Sequence, residues 1–383
     1  MNRIKHALAS VCAMLAGALA TAAASAQSMP CPVMTVPPAG TPANEIVQVF
    51  PPAAGGGETA WRVRFGHATS KGLYITGAWF RTAPGEPWTR VLWDARLAEI
   101  FVPYHPGSPR YYDLTNFSFD LEAATSADAG PCGRIIDGKV VHQVRSYGLM
   151  WKDDQAVRYG HELVLWGTLD SANYNYVMSY AFRDDGTIAL RLGATSRNLP
   201  GSETVAHTHE GLWRIDMDLG GFWNDSALHV THNASSVSNV STDSFVAFNG
   251  GTEGGIEWNP EEFTEVHVRD TVRTNANGRN ISYEFKPVRR GSARHPEAFS
   301  HSDFWVTRYR GSERNYSLLP SYVNGESVTD TDVVIWHSSP VHHDPRDEDG
   351  RFVGPYWQGV ALLMWGGVDI RPRNLFDETP LFP

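Results

Sequence analysis

From Trp61 onward the sequence is cut into short alternating runs, and that periodicity constrains the fold more than any other feature. WRVRF (61–65), ELVLWGTL (162–169), TIALRLGA (187–194), EVHVRDTV (265–272) and DVVIWH (332–337) place apolar residues at every second position or in one brief stretch. Successive side chains of a strand point to opposite faces, so such runs predict strands with one or both faces buried. Clusters of Gly, Asp, Asn and Pro separate them, as turns require. YVMSYAFRDDGTIALRLGA (176–194) predicts a hairpin turning at Arg183-Asp184-Asp185-Gly186. No long segment keeps a helical period, and no tandem repeat, GxGxxG or phosphate-binding loop breaks the pattern. The economical architecture is all-β and mainly antiparallel, a large sandwich of two sheets.

Two segments stand outside this pattern. Residues 1–26 carry Arg3 and Lys5, an apolar run from Ala7 to Ala23, and the small-x-small ending Ala24-Ser25-Ala26, which together predict a signal peptide cleaved after Ala26. Residues 27–57, rich in Pro, Ala and Gly, predict a leader or linker, leaving 58–383 for the sandwich. The mature protein is then expected in the periplasm or secreted, and no later run has the length of a membrane helix. Cleavage removes Cys12 and leaves Cys31 and Cys132 in an oxidising compartment, where one disulfide is the natural expectation. The chain carries a net charge of −10, and losing Arg3 and Lys5 makes it more negative. Nucleic acid and anionic membranes are poor partners for such a surface.

Four places carry chemistry. In AHTHEGLWRIDMDLGG (206–221), His207 and His209 lie two apart, so a strand points both imidazoles to one face at a spacing that suits one metal ion. In WHSSPVHHDPRDED (336–349), His342 and His343 follow a strand in a Pro- and Asp-rich loop that could bring a third imidazole to the same ion. In RYYDLTNF (110–117), Asp113 behind two tyrosines is a candidate general base, its pKa raised by burial. In DSANYNYVMSYAF (170–182), Tyr174 sits among small and amide side chains inside an aromatic-rich strand. Taken singly, each has a plainer reading as surface histidine, turn aspartate or core tyrosine.

Taken in order, these segments resemble the catalytic domain of the copper-containing, topaquinone-dependent amine oxidases, from about Trp61 to the C-terminus. FGHATSKGLYITGAWF and RVLWDARLAEIFVPYHPG resemble the family's leading strands, and RYYDLTNF falls at its tyrosine-x-aspartate base motif. ANYNY (172–176) stands at the Asn-Tyr-Asp/Glu cofactor motif. AHTHEGLWRIDMDLGG resembles the copper segment, and FWVTRYRGSER, LPSYVNGE, DVVIWHSSPVHHDPRDED and DIRPRNLFDETP resemble successive pieces of the family's end.

The resemblance implies a trimmed form of the family's large catalytic β-sandwich. It implies that Tyr174, behind Asn173, is the precursor that copper and dioxygen convert to the quinone cofactor, and that His207, His209 and His343 hold copper(II). Asp113 would be the base, Tyr104 the tyrosine that orients the quinone by a hydrogen bond, and Tyr111 the aromatic gate of the substrate channel. Asp216, Met217 and Asp218, with Asp332 and Val333, fall where many relatives hold a calcium-like ion through carboxylates and backbone carbonyls. The activity implied is oxidative deamination of a primary amine by dioxygen to aldehyde, ammonia and hydrogen peroxide, in a chain whose relatives are homodimers.

Several positions depart from the family pattern. Asn175 follows the cofactor tyrosine where the family has an acid, Asp170 replaces a hydroxyl residue, and Leu114-Thr115 follows the base in place of Thr/Ala-Gly. Two other readings stay open: a three-histidine metal protein without the quinone, either zinc hydrolase-like or an inactive copper binder, and a secreted β-sandwich that binds carbohydrate through some of its thirteen tryptophans.

Overall fold

Strands dominate because the alternating runs find partners on both sides. The computed structural model describes residues 31–50, 57–104, 109–155, 157–235, 240–259, 261–288, 295–311 and 315–378; the predicted signal peptide lies outside them. Chain contacts divide the molecule at Cys31, and the sandwich belongs to the unit Pro32–Pro383. It consists of two antiparallel sheets, one of nine strands and one of eleven among the described residues.

The first sheet runs in the order Glu45–Phe50, Thr59–Ala68, Gly72–Arg81, Thr89–Pro103, His207–Met217, Val333–His343, Phe304–Arg308 and Gly254–Ile256, with Arg110–Tyr112 paired to the end of Thr89–Pro103. Its first strand falls inside the segment expected to be a linker. EIVQVF pairs residue by residue with the Trp61 strand, Glu45 opposite Arg64 and Phe50 opposite Thr59, so the sandwich begins before residue 58. The flanking Pro and Gly residues hide this six-residue alternation in the sequence.

In the second sheet, Tyr174–Arg183 lies between Val157–Ser171 and Ile188–Arg197. The predicted hairpin is present: Ile188 pairs with Phe182, and Gly186 takes φ 86° in the turn, where a Cβ would be strained. The preceding connection is tighter than expected. Ser171 pairs with Tyr174 across a turn made of Ala172 and Asn173 alone, so Tyr174 is the first residue of its strand rather than an interior one. Ala172 takes φ 59° there, with its N–H donated to Asp170 Oδ1.

Between the sheets, Trp61, Phe65, Leu73 and Phe80 pack against Tyr176, Met178, Tyr180 and Phe182 in one buried cluster. Hydrogen bonds tie the sheets here: Trp61 Nε1 donates to Arg183 O at 2.7 Å, and Tyr180 Oη to Leu73 O at 2.8 Å. Truncating a buried aromatic such as Trp61 to Ala costs about 3–5 kcal/mol. A second cluster, with Phe101, Leu212, Phe299, Tyr316 and Trp336, covers the outer face of the first sheet. That double coverage explains why VVIWH is apolar without alternation. Gly211 lies where a Cβ would come 2.9 Å from Leu192 Cδ2, so the sheets close tightly beside the histidine-bearing strand. No helix among the described residues is long and apolar enough to cross a membrane.

Candidate active site

The His207–Met217 strand and the Tyr174–Arg183 strand, one from each sheet, meet at one end of the sandwich. His207 and His209 share the inward face, as their spacing predicts, and both are buried. The third histidine arrives differently from expectation. The strand beginning at Val333 does not stop before Pro340 but continues through His343, which pairs directly with His207. Its other neighbour, Phe304–Arg308, reaches only as far as His337, and a strand with one partner tolerates proline. Alternation then buries His343 and exposes His342. Ligand atoms of His207, His209 and His343 all lie within 4.8 Å of one another.

These imidazoles are suited to a metal in charge as well as in position. Burial pushes His207 down to about 4, and pushes His209 well below and His343 below their ordinary value, so all three are neutral with a lone pair to offer. His207 Nδ1 donates to Val205 O at 2.7 Å, which fixes its proton and leaves Nε2 as the free acceptor. His209 Nε2 and His343 Nε2 are buried with no hydrogen-bond partner, a condition a bound metal relieves. Three neutral nitrogens fit copper or zinc better than calcium or magnesium.

Tyr174 Oη reaches into this group, 3.2 Å from His207 Nε2, 3.1 Å from His343 Nδ1 and 3.3 Å from Asn198 Oδ1. Burial raises its pKa, as it does that of Tyr104, so both are neutral phenols. Tyr104 stacks on His207 with ring centroids 4.2 Å apart, and its hydroxyl interacts with that of Tyr174. Asn198 was not anticipated from the sequence.

Asp113 is buried on the other side of the tyrosine pair. Burial pushes it up to about 6, with a hydrogen bond from Tyr176 pulling the other way. Two groups that the sequence reading missed hold it. Tyr176 Oη donates to Asp113 Oδ2 at 2.6 Å and lies 2.9 Å from His209 Nδ1. Alternation places residue 176 on the same face as 174, a signal available in NYNY. Glu99, fully buried, accepts from Leu114 N at 3.0 Å, Thr115 N at 3.3 Å and the Thr115 hydroxyl, while Asp113 N donates to Ile100 O at 2.8 Å. The Leu114-Thr115 departure is thereby accounted for: Leu114 fills the core and Thr115 binds Glu99. An acid inside the apolar run LAEIFV was the visible sign.

A cavity of about 140 Å³ opens beside Asp113 and Tyr174, lined also by Tyr104, Tyr111, Phe117, Phe119 and Leu199. Tyr111 meets Tyr104 edge-on at 6.0 Å. Asn173 lines the same cavity. Asn175 faces away and donates to Glu122 Oε1 at 3.0 Å, so that departure does not enter the metal centre.

The second expected metal set is gathered less tightly. Asp216 and Asp218 are buried, with Arg214 3.5 Å from Asp216 and Arg90 3.2 Å from Asp218. Met217 and Val333 are core residues, and Asp332 O accepts from Tyr309 N at 2.9 Å. Asp225, unforeseen in the sequence, joins them: both carboxylate oxygens are buried without a hydrogen-bond partner, and burial with Asp270, Asp218, Asp332 and Asp216 nearby pushes it up to about 9. Besides the three histidines, the described residues bring one other set of ligand atoms within 4.8 Å, Glu265, His267 and Glu284, but Lys286 and Arg373 already neutralise its carboxylates. Cys31 and Cys132 are both disulfide-bonded.

The chain is a two-sheet sandwich with three buried histidines around a phenol. Residues 199–382 match the family model described as copper amine oxidase, enzyme domain. Over 84% of its length the chain is similar to Primary amine oxidase 2 of Arabidopsis thaliana, 22% identical over 392 residues and 57% of that protein. It is 23% identical over 394 residues to Copper amine oxidase 1 of Aspergillus niger, covering 56% of it. The crystal structure of an amine oxidase from Aspergillus nidulans matches 93% of the chain with a TM-score of 0.66 at 17% identity, over 55% of that structure's chain. The chain thus spans little more than half the length of these relatives.

Proposed function

We propose that this chain oxidises primary amines with dioxygen, RCH2NH2 + O2 + H2O giving RCHO + NH3 + H2O2. The observation that carries this reading is the Tyr174 hydroxyl at 3.2 and 3.1 Å from His207 and His343, with Asp113 in the cavity on its other side. Copper held by His207, His209 and His343, and a quinone made from Tyr174, would supply the electron sink that ordinary side chains lack. The rest falls to the protein. Asp113, ionised at neutral pH, takes the proton from the carbon bearing the amine. Tyr104 packs against His207 and keeps the ring of residue 174 in line, and the apolar walls exclude water. Among the described residues, Asp113 is the one charged side chain lining the cavity, whose volume matches that of apolar protein cavities that hold benzene. Small apolar monoamines suit it better than diamines.

The test is reconstitution with copper in air. Tyr174 conversion gives a coloured protein that reacts with phenylhydrazine, and an amine panel then releases peroxide; Tyr174→Phe binds copper and stays colourless. A wild-type protein that binds copper but never colours would favour the second reading, a three-histidine metal protein without the quinone. A structural cation among Asp216, Asp218, Asp225 and Asp332 belongs to the same proposal, as do export of the chain and a homodimeric state. The disulfide-bonded Cys31 and Cys132 support export.

A further inference from the structure

Tyr176 is fully buried, two residues beyond Tyr174 on the same face of its strand, and touches neither the solvent nor the cavity beside Asp113. Its hydroxyl stands between two groups with different roles, 2.6 Å from Asp113 Oδ2 and 2.9 Å from His209 Nδ1. A phenol has one proton to give. An ionised carboxylate can only accept, so Tyr176 must donate to Asp113. Its oxygen can then only accept from His209, which requires the His209 proton to be on Nδ1. The remaining nitrogen, Nε2, is the buried one with no hydrogen-bond partner, and His209 offers one ring nitrogen to the group gathered with His207 and His343.

Resting on the amine-oxidase reading, we propose that Tyr176 is a positioning residue that joins the base to the metal centre: it holds His209 in the Nδ1–H tautomer, so that Nε2 faces the metal, and it fixes Asp113 against the cavity. The chain of hydrogen bonds runs in one direction, from His209 Nδ1–H to Tyr176 Oη and from Tyr176 Oη–H to Asp113 Oδ2. Metal-bound imidazoles generally need such an outer partner on their second nitrogen to set tautomer and ring angle. His207 has its own in Val205 O, and Tyr176 is the equivalent for His209. The coupling is possible because Asp113 comes from the first sheet's edge, His209 from its centre and Tyr176 from the opposite sheet, so one hydroxyl spans all three. Among the described residues, the titratable side chains facing Asp113 are Tyr176, Tyr104, Tyr111 and Tyr174, none of them cationic, which leaves the hydrogen bonds from Tyr176 and Ser171, in that order, as the contacts that favour the ionised carboxylate.

Nitrogen-15 NMR of the imidazoles in the metal-free and zinc-loaded full chain tests the tautomer directly, without turnover. The wild-type protein is expected to show His209 as Nδ1–H in both states, and Tyr176→Phe to show a mixture when metal-free. In the copper-loaded protein, Tyr176→Phe should retain full copper stoichiometry. It should lower kcat roughly 10- to 100-fold with KM little changed, and move the acidic limb of the kcat/KM profile upward by about one pH unit. An Nε2–H tautomer for His209 in the wild-type protein, or a profile and kcat unmoved in Tyr176→Phe, overturns the proposal. If no amine is oxidised at all, the amine-oxidase reading fails and the tautomer still decides the role of Tyr176.

Discussion

His207 and His343 stand directly opposite one another on adjacent antiparallel strands, their ring centroids 5.0 Å apart. The remote histidine therefore reaches the three-histidine group as a cross-strand pair, and the rigidity of the ladder sets the distance.

That pairing separates two neighbouring histidines. His343→Ala should abolish stoichiometric copper binding, because it removes one of three donors. His342→Ala, on the exposed face, should bind copper like the wild type. Equilibrium dialysis followed by metal analysis distinguishes them; equal losses in both variants would contradict the strand register.

Asp113 governs the pH dependence. With its pKa pushed up to about 6, kcat/KM should climb as pH rises through about 6 and level above it. Asp113→Asn should keep any quinone colour and lose about 10²–10⁴-fold in turnover. Stability runs the other way. A carboxyl whose folded pKa lies above its ordinary 3.8 favours folding fully below that value, and this contribution is lost as pH rises through about 6. Melting curves across pH 3–8 should show the slope in the wild type and a shallower one in Asp113→Asn.

Glu99 anchors the residues that follow Asp113. Glu99→Ala would leave the Leu114 and Thr115 N–H groups without their acceptor, at about 1–3 kcal/mol for each buried group. Urea denaturation should report that loss, and turnover should fall with it because the loop carrying Asp113 is released. Thr115→Val, which deletes one contact, should cost about 1 kcal/mol. A Glu99→Ala protein as stable and active as the wild type would show that Asp113 is held by other means.

Asp225 should set a second pH dependence and, if the proposed cation binds, a cation response. Its folded pKa of about 9, above the ordinary 3.8, means that its contribution to stability is present below about pH 4 and lost as pH rises toward 9. Asp225→Asn should therefore melt higher than the wild type near pH 8 in the absence of divalent cations. Millimolar calcium should raise the wild-type Tm and raise that of the variant less. No response to calcium in either protein would exclude the cation, while leaving the pH slope as a separate result.

Much of this was legible from local chemistry. The Arg183–Gly186 turn follows from residue types, and the shared face of His207 and His209 follows from strand alternation. What escaped were groups whose meaning depends on partners far along the chain. Glu99 looked like one polar position in an apolar run, and Asp225 carried no pattern at all. The strand at Glu45–Phe50 was masked by its Pro- and Gly-rich surroundings, and the continuation of the Val333 strand through His343 by a proline that usually ends a strand.

The sequence by itself determined that this chain makes strands and turns, and which side chains were available for a metal, a phenol and a base, because periodicity and residue chemistry are local properties. Only the tertiary structure decided that Tyr174 meets His207 and His343, and that Tyr176 joins Asp113 to His209. Those contacts arise from register within one sheet and from the packing of two sheets face to face, and neither is encoded in any single stretch of the chain.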